Sequence, residues 1–279
     1  MKKPIKLIAV ALIVLLLNKS NVVAQGSNRY LTLGNSTTTI DNLVIADSIN
    51  PGNSVLYTAE FDIIPNGASE TKSVLSELLT TCAQRNTIAV LVLSRVNTNM
   101  EVMEERTWNS VTISEIILPE IEASARATAK IRIKIKAGTA SLKYDTKTKI
   151  SISKTEPQRS VVTSAYRFNA GRLPGIRISK ISSMTIGSNS GEPVAFFIEL
   201  SLLESKEWAD WFMTGAGGIK KEPCTLELLS PDMKNTILEI NLGDLEIISY
   251  STSYSSNQQT IQRVKIGLRT QSISINTLK

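Results

Sequence analysis

Along most of this chain apolar residues alternate with polar ones, the two-residue period of strands that bury one face. Residues 129–136 alternate strictly, with Ile131, Ile133 and Ile135 set between Lys130, Arg132, Lys134 and Lys136. Residues 55–63 place Tyr57, Ala59 and Phe61 against Thr58, Glu60 and Asp62. Residues 88–93 are continuously apolar, as a strand covered on both faces would be. Further strands are expected over 101–112, 150–153, 175–181, 194–203, 225–229, 237–242, 245–250 and 261–268. Turn-forming residues separate them at Asn50-Pro51-Gly52, Asn66-Gly67, residues 171–175, Asn189-Ser190-Gly191 and Ser230-Pro231-Asp232.

Two segments break this period. Residues 69–82 carry Val74, Leu75, Leu78 and Leu79 at helical spacing, with Ser69 as the expected N-cap. Residues 205–213 place Trp208, Trp211 and Phe212 on one side of a second helix, with Ser205 as its cap. The two helices stand at matching places in the order strand, helix, strand, strand, strand, which predicts an internal repeat. The closing strands match best: Arg263, Lys265, Gly267 and Arg269 alternate with Val264, Ile266 and Leu268 in the phase of residues 130–136. The expected organisation is a leader over 1–24, a first β unit over 25–140, connecting strands over 141–174 and a second β unit over 175–279. The fold class is mainly β with one short helix per half.

The first 24 residues have the parts of a secretory signal peptide in order: Lys2, Lys3 and Lys6, an apolar run over 7–17, and a polar exit. Val22 and Ala24 are small enough for cleavage before Gln25. The apolar run falls short of the roughly 20 residues a spanning helix needs, so no membrane span is expected after cleavage. A secreted, periplasmic or cell-surface location follows as the expectation. The whole chain is +6, but four lysines and no acid lie in the leader, leaving 27 basic against 25 acidic residues. A charge of +2 gives no reason to expect nucleic acid as a partner.

Catalytic chemistry is thinly represented. There is no histidine, which removes Ser-His-Asp and Cys-His systems and every His-containing metal site. Gly215-Ala216-Gly217-Gly218 lacks the lysine and hydroxyl residue of a phosphate loop and reads as a turn. Carboxylates cluster at Glu101, Glu104 and Glu105 and at Glu120 and Glu122, but aromatics are only 5% of the chain, few for a sugar cleft. No enzyme activity, cofactor or metal is expected. Cys82 and Cys224 are the only cysteines, and read either as two semi-buried thiols or as one bond between the halves.

Two features remain as candidates for recognition. Lys130, Arg132, Lys134, Arg263 and Lys265 form a basic strand face in each half, readable as solvated surface or as a charged docking surface. Trp208 and Trp211 share a helix face and read as packing onto the sheet, or as exposed at a subunit interface.

The segment Glu207-Trp208-Ala209-Asp210-Trp211-Phe212, a Gly-Lys-rich turn over 217–221, the strand 225–229 and Ser230-Pro231-Asp232 resemble the phage tail-tube family, which includes the tube proteins of contractile injection systems and type VI secretion. The first half follows the same order, with Val74 and Leu78 in place of the tryptophans. The resemblance implies two tandem barrel-like β-sandwich units of tail-tube type. It also implies ring assembly, and for a repeated barrel a trimer with pseudo-sixfold symmetry. The leader departs from that family and points to an exported relative or a surface filament. The expected partners are therefore further copies of the chain, and other surface or envelope proteins. The competing reading is a secreted binding module or adhesin that recognises a glycan or protein through loops such as residues 249–260.

Overall fold

The computed structural model of the chain describes residues 28–49, 55–151, 160–171, 173, 178–187, 193–215, 222–253 and 262–276. The expected leader lies outside the described residues, as do the turns at 50–52 and 189–191, the glycine turn 216–218 and most of the loop 249–260.

The first unit contains β1 (Asn28–Leu33), β2 (Ser36–Ile49), β3 (Val55–Ile63), α1 (Ser69–Gln84), β4 (Ile88–Val96), β5 (Val102–Leu118), β6 (Ile121–Glu122) and β7 (Ile131–Tyr144). Its sheet runs β5-β4-β1-β2-β3-β7, and β7 pairs back onto β5, which closes a barrel. Closure satisfies both edges of each strand along the paired stretch and leaves the interior to the alternating apolar residues. Ile131, Ile133 and Ile135 point inward and are fully buried, alongside Phe61, Ile63, Leu91, Trp108 and Val111. The basic residues of β7 consequently face outward.

The second unit contains β8 (Tyr166–Ala170), β9 (Ile178–Ile181), β10 (Met184–Gly187), β11 (Val194–Ser201), a 3-10 turn (Leu202–Glu204), α2 (Lys206–Gly215), β12 (Glu222–Leu229), β13 (Thr236–Ser253), β14 (Arg263–Thr270) and β15 (Ser272–Asn276). Its sheet runs β9-β11-β14-β13-β12-β8. Among the described residues no ladder joins β8 to β9, and the Tyr166 hydroxyl spans the gap by donating to the Ile178 carbonyl. The molecule is thus mainly β, with two helices and two barrel-like sheets among the described residues.

The two units share their pairing residue by residue. Ile63 faces Ile131 as Leu200 faces Val264, and Ile113 faces Ile135 as Ile247 faces Leu268. Leu91 faces Trp108 as Cys224 faces Leu242. Two breaks in register coincide as well: Arg95/Val96 with Leu228/Leu229, and Ile113/Glu115 with Ile247/Ser249. Bulges of this kind bend and twist a strand, so the common breaks give both sheets the same curvature.

The units are joined by exchanged strands. β6 leaves the first unit to pair with β9, and β10 leaves the second unit to pair with β5. α1 packs against both β10 and β15. Phe168, Phe196 and Ile198 of the second unit belong to the same continuous apolar core as Phe61 and Leu78 of the first.

Several expectations change in detail. The segment expected to connect the halves is divided between them: residues 141–144 extend β7, and 166–170 form β8 of the second sheet. The expected strands over 237–242 and 245–250 are one strand, because Asp244 adopts a left-handed backbone (φ 54°) without breaking it. No strand forms at residues 150–151, where Ile150 packs instead beside Tyr30, Val96 and Val102; residues 152–153 lie outside the described residues. Ser69 is not the N-cap of α1. Ala68 occupies that position, and the Ser69 hydroxyl donates to Glu70. α1 ends with Arg85 left-handed (φ 58°) and its N–H bonded to the Cys82 carbonyl, while Asn86 N–H bonds to Thr81, a Schellman-type stop.

Candidate functional site

The outward face of β7 is a ladder of ion pairs. Lys130 lies 2.6 Å from Asp41, Arg132 bridges Glu60 (3.2 Å) and Asp62 (3.1 Å), and Lys134 lies 2.5 Å from Glu115. The cause is register: Arg132 stands opposite Asp62 and Lys134 opposite Glu60, so each cation meets an acid across the ladder. Asp62 is the one deeply buried member, and it also accepts from the Asn42 amide at 2.6 Å. Its proximity, by hydrogen bond and then by charge, pushes the Arg132 guanidinium still higher; Glu115 does the same for Lys134. Lys130 holds the Asp41 carboxyl below its ordinary value, chiefly through their hydrogen bond.

The matching face in the second unit is built differently. Arg263 reaches Glu199 at 3.9 Å and donates to the Ser179 hydroxyl at 2.9 Å. Lys265 stands opposite Glu199 and sits 4.2 Å from the centre of the Phe197 ring. Arg269 contacts Glu246, buried to 5% exposure, at 2.6 Å. Lys130, Arg132, Lys134 and Arg263 thus each have an acidic partner, and Lys265 sits over an aromatic ring.

Trp208 and Trp211 are both buried and meet edge-to-face at 6.1 Å. They seat α2 on its sheet, and Phe212 stacks on Tyr250 of β13 at 6.1 Å. Ser205 stands at the N-cap position of α2, where its carbonyl accepts from the Ala209 N–H at 2.8 Å, and its hydroxyl donates to the Leu202 carbonyl and accepts from the Tyr250 hydroxyl, both at 2.8 Å. The interior position of the tryptophans follows from the width of the apolar face, which on so short a helix has nowhere to go but the sheet.

The acidic clusters do not converge. Glu104 pairs with Arg95 at 3.0 Å, Glu101 accepts from Asn97 at 2.9 Å, Glu120 pairs with Lys180 at 3.0 Å and Glu122 accepts from Ser124 at 2.8 Å. Cys82 and Cys224 are both free and buried. Burial pushes the Cys82 thiol up to about 11 and the Cys224 thiol higher still, so both are protonated at neutral pH.

Two stretches of strand edge have no second strand beside them among the described residues. Past the break at Asp41/Val44, residues 44–49 of β2 pair with β3 on one side, and no described strand covers their other side. Among the described residues, 246–253 of β13 pair with β14 alone: β12 begins at Glu222, opposite Leu245, and residues 216–221 before it lie outside the described residues. These edges were not legible in the sequence, because an edge is defined by missing partners and not by local pattern.

No family model and no curated protein matches the chain. Among solved structures it is similar to the tube-terminating cap of an anti-feeding prophage, at 11% identity and a TM-score of 0.35, over 48% of this chain and 98% of that one. It is also similar to Hcp1 from Salmonella typhimurium, at 11% identity and a TM-score of 0.24, over 57% of this chain and 84% of that one. Each match spans roughly half of the chain.

Proposed function

We propose that this chain is an exported, non-enzymatic structural protein that self-associates through the edges of its sheets into a ring or filament. The observation that carries the reading is the strand exchange between the two units. One unit already completes the edge of the other with β6 and β10, while the edges at residues 44–49 and 246–253 are left uncovered among the described residues. Long uncovered edges are a liability in a monomer, and natural proteins blunt or cover them. Here they carry no proline, and Val44, Ile49 and Ile248 on them are exposed. Export rests on the leader-like first 24 residues.

Light scattering and electron microscopy of the protein purified after secretion test this directly. Multimers growing with concentration are expected, with an intact mass that begins at Gln25. A strictly monomeric protein at high concentration removes the self-association reading, and a retained leader removes the export reading.

A further inference from the structure

The two units have equivalent strands, so the joint between them can be transferred. Within the chain, unit one receives unit two: β10 adds to β5 in the register Met184–Leu118, Thr185–Ile117, Ile186–Ile116 and Gly187–Glu115. α1 lies across this joint, packing on β10 and β15, and the Cys82 thiol donates to the Ile186 carbonyl at 3.8 Å.

Each donor and receptor element has a counterpart that this contact does not use. The Ser182 N–H bonds to the Phe197 carbonyl, the place that Val44 takes opposite Glu60 in unit one, so residues 46–49 of β2 stand where β10 stands. Ser272 faces Gly243 as Thr139 faces Asn109, so the end of β7 stands where β15 stands. Ser249 faces Gly267 as Glu115 faces Lys134, so residues 249–252 of β13 stand where 115–118 of β5 stand. α2 takes the place of α1. Exposed apolar side chains mark both sides: Ile49, Leu142 and Tyr144 on the donor elements, Met213 and Ile248 on the receptor elements.

We infer that a second copy of this chain docks here, its residues 46–49 adding antiparallel to residues 249–252 of β13 and the end of its β7 lying under α2. This rests on the self-association reading and specifies its joint. The transferred register places Ala46 opposite Thr252, Asp47 opposite Ser251, Ser48 opposite Tyr250 and Ile49 opposite Ser249. The partner is a second copy because the receptor matches, strand for strand, a receptor that this chain already fills with its own equivalent strand. A head-to-tail joint of this kind repeats at every copy, giving a ring if the rotation closes and a filament if it does not.

Cysteine cross-linking tests the register. Directly opposed residues of an antiparallel pair have Cα atoms about 4.5–5.5 Å apart, within disulfide reach. Chains carrying Ala46→Cys and Thr252→Cys are mixed and oxidised, with Ala46→Cys plus Thr236→Cys as the out-of-register control. The native thiols are buried and do not compete. A heterodimer forming in the first mixture and not in the control is the expected result. Multimers by light scattering without that cross-link overturn this joint and leave self-association standing; a monomer in every mixture overturns both. Met213→Glu, at a side chain 71% exposed and so harmless to folding, is expected to weaken association about tenfold. An unchanged association constant in that variant counts against α2 as part of the joint.

Discussion

Single residues decide how the ion-pair ladder of β7 works. The Asp62 side chain is only 2% exposed, and Arg132 and Asn42 supply its charge-assisted partners. Arg132→Met strands a buried carboxylate, and because Arg132 itself is half exposed the cost is set at about 1–3 kcal/mol. Urea unfolding measures it, and adding Asp62→Asn is expected to recover part of the loss. Asp41 behaves differently, being half exposed beside Lys130. Its folded-state pKa lies below its unfolded value, so the pair stabilises above the ordinary carboxylate range, and that contribution is lost as pH falls through the folded value. Lys130→Met is expected to return the Asp41 titration toward its ordinary value by NMR, with little change in urea midpoint at neutral pH. Cys82 and Cys224 are expected to resist a thiol reagent in the native protein at pH 7 and to label fully in denaturant. Prompt native labelling of either would contradict their burial.

At the scale of elements, the two helices do the same job with different material. α1, 16 residues long, buries Val74, Leu75, Leu78 and Leu79, whereas the shorter α2 relies on two tryptophans. Truncating a fully buried tryptophan leaves a large void, so Trp208→Ala is expected to cost about 3–5 kcal/mol. Near-ultraviolet circular dichroism and denaturant midpoints report it. A loss under 1 kcal/mol would mean that α2 is seated by Phe212 and Tyr250 instead. The tryptophans were visible as one face from their spacing alone; that the face is interior, and that the Ser205 hydroxyl accepts from Tyr250, depended on what lay opposite.

For the whole molecule, exchanged strands and a continuous core bind the units to each other. Neither sheet keeps its observed edges without the other: β5 loses β10, and β9 loses β6. A single cooperative transition is therefore expected, with calorimetric and van't Hoff enthalpies equal. Two resolved transitions would mean that each barrel folds independently of the exchange. The same exchange distinguishes this chain from two barrels on a tether, because the inter-unit contact is itself a sheet.

Local pattern by itself determined the strand-rich character, the two helical segments, the matching order of the halves and the inward face of β7, because a period of two or of 3.6 residues states which side is buried whatever lies across from it. Tertiary structure decided the rest. β1 and β2, for which no strand was expected, form through pairing with β4 and β3. Registers, breaks, the acids opposite each cation and the separation of the two thiols are relations between residues far apart in sequence. The edges left uncovered among the described residues belong to that class most clearly, since backbone N–H and C=O groups are the same at every residue and only the absence of a described neighbouring strand sets these apart.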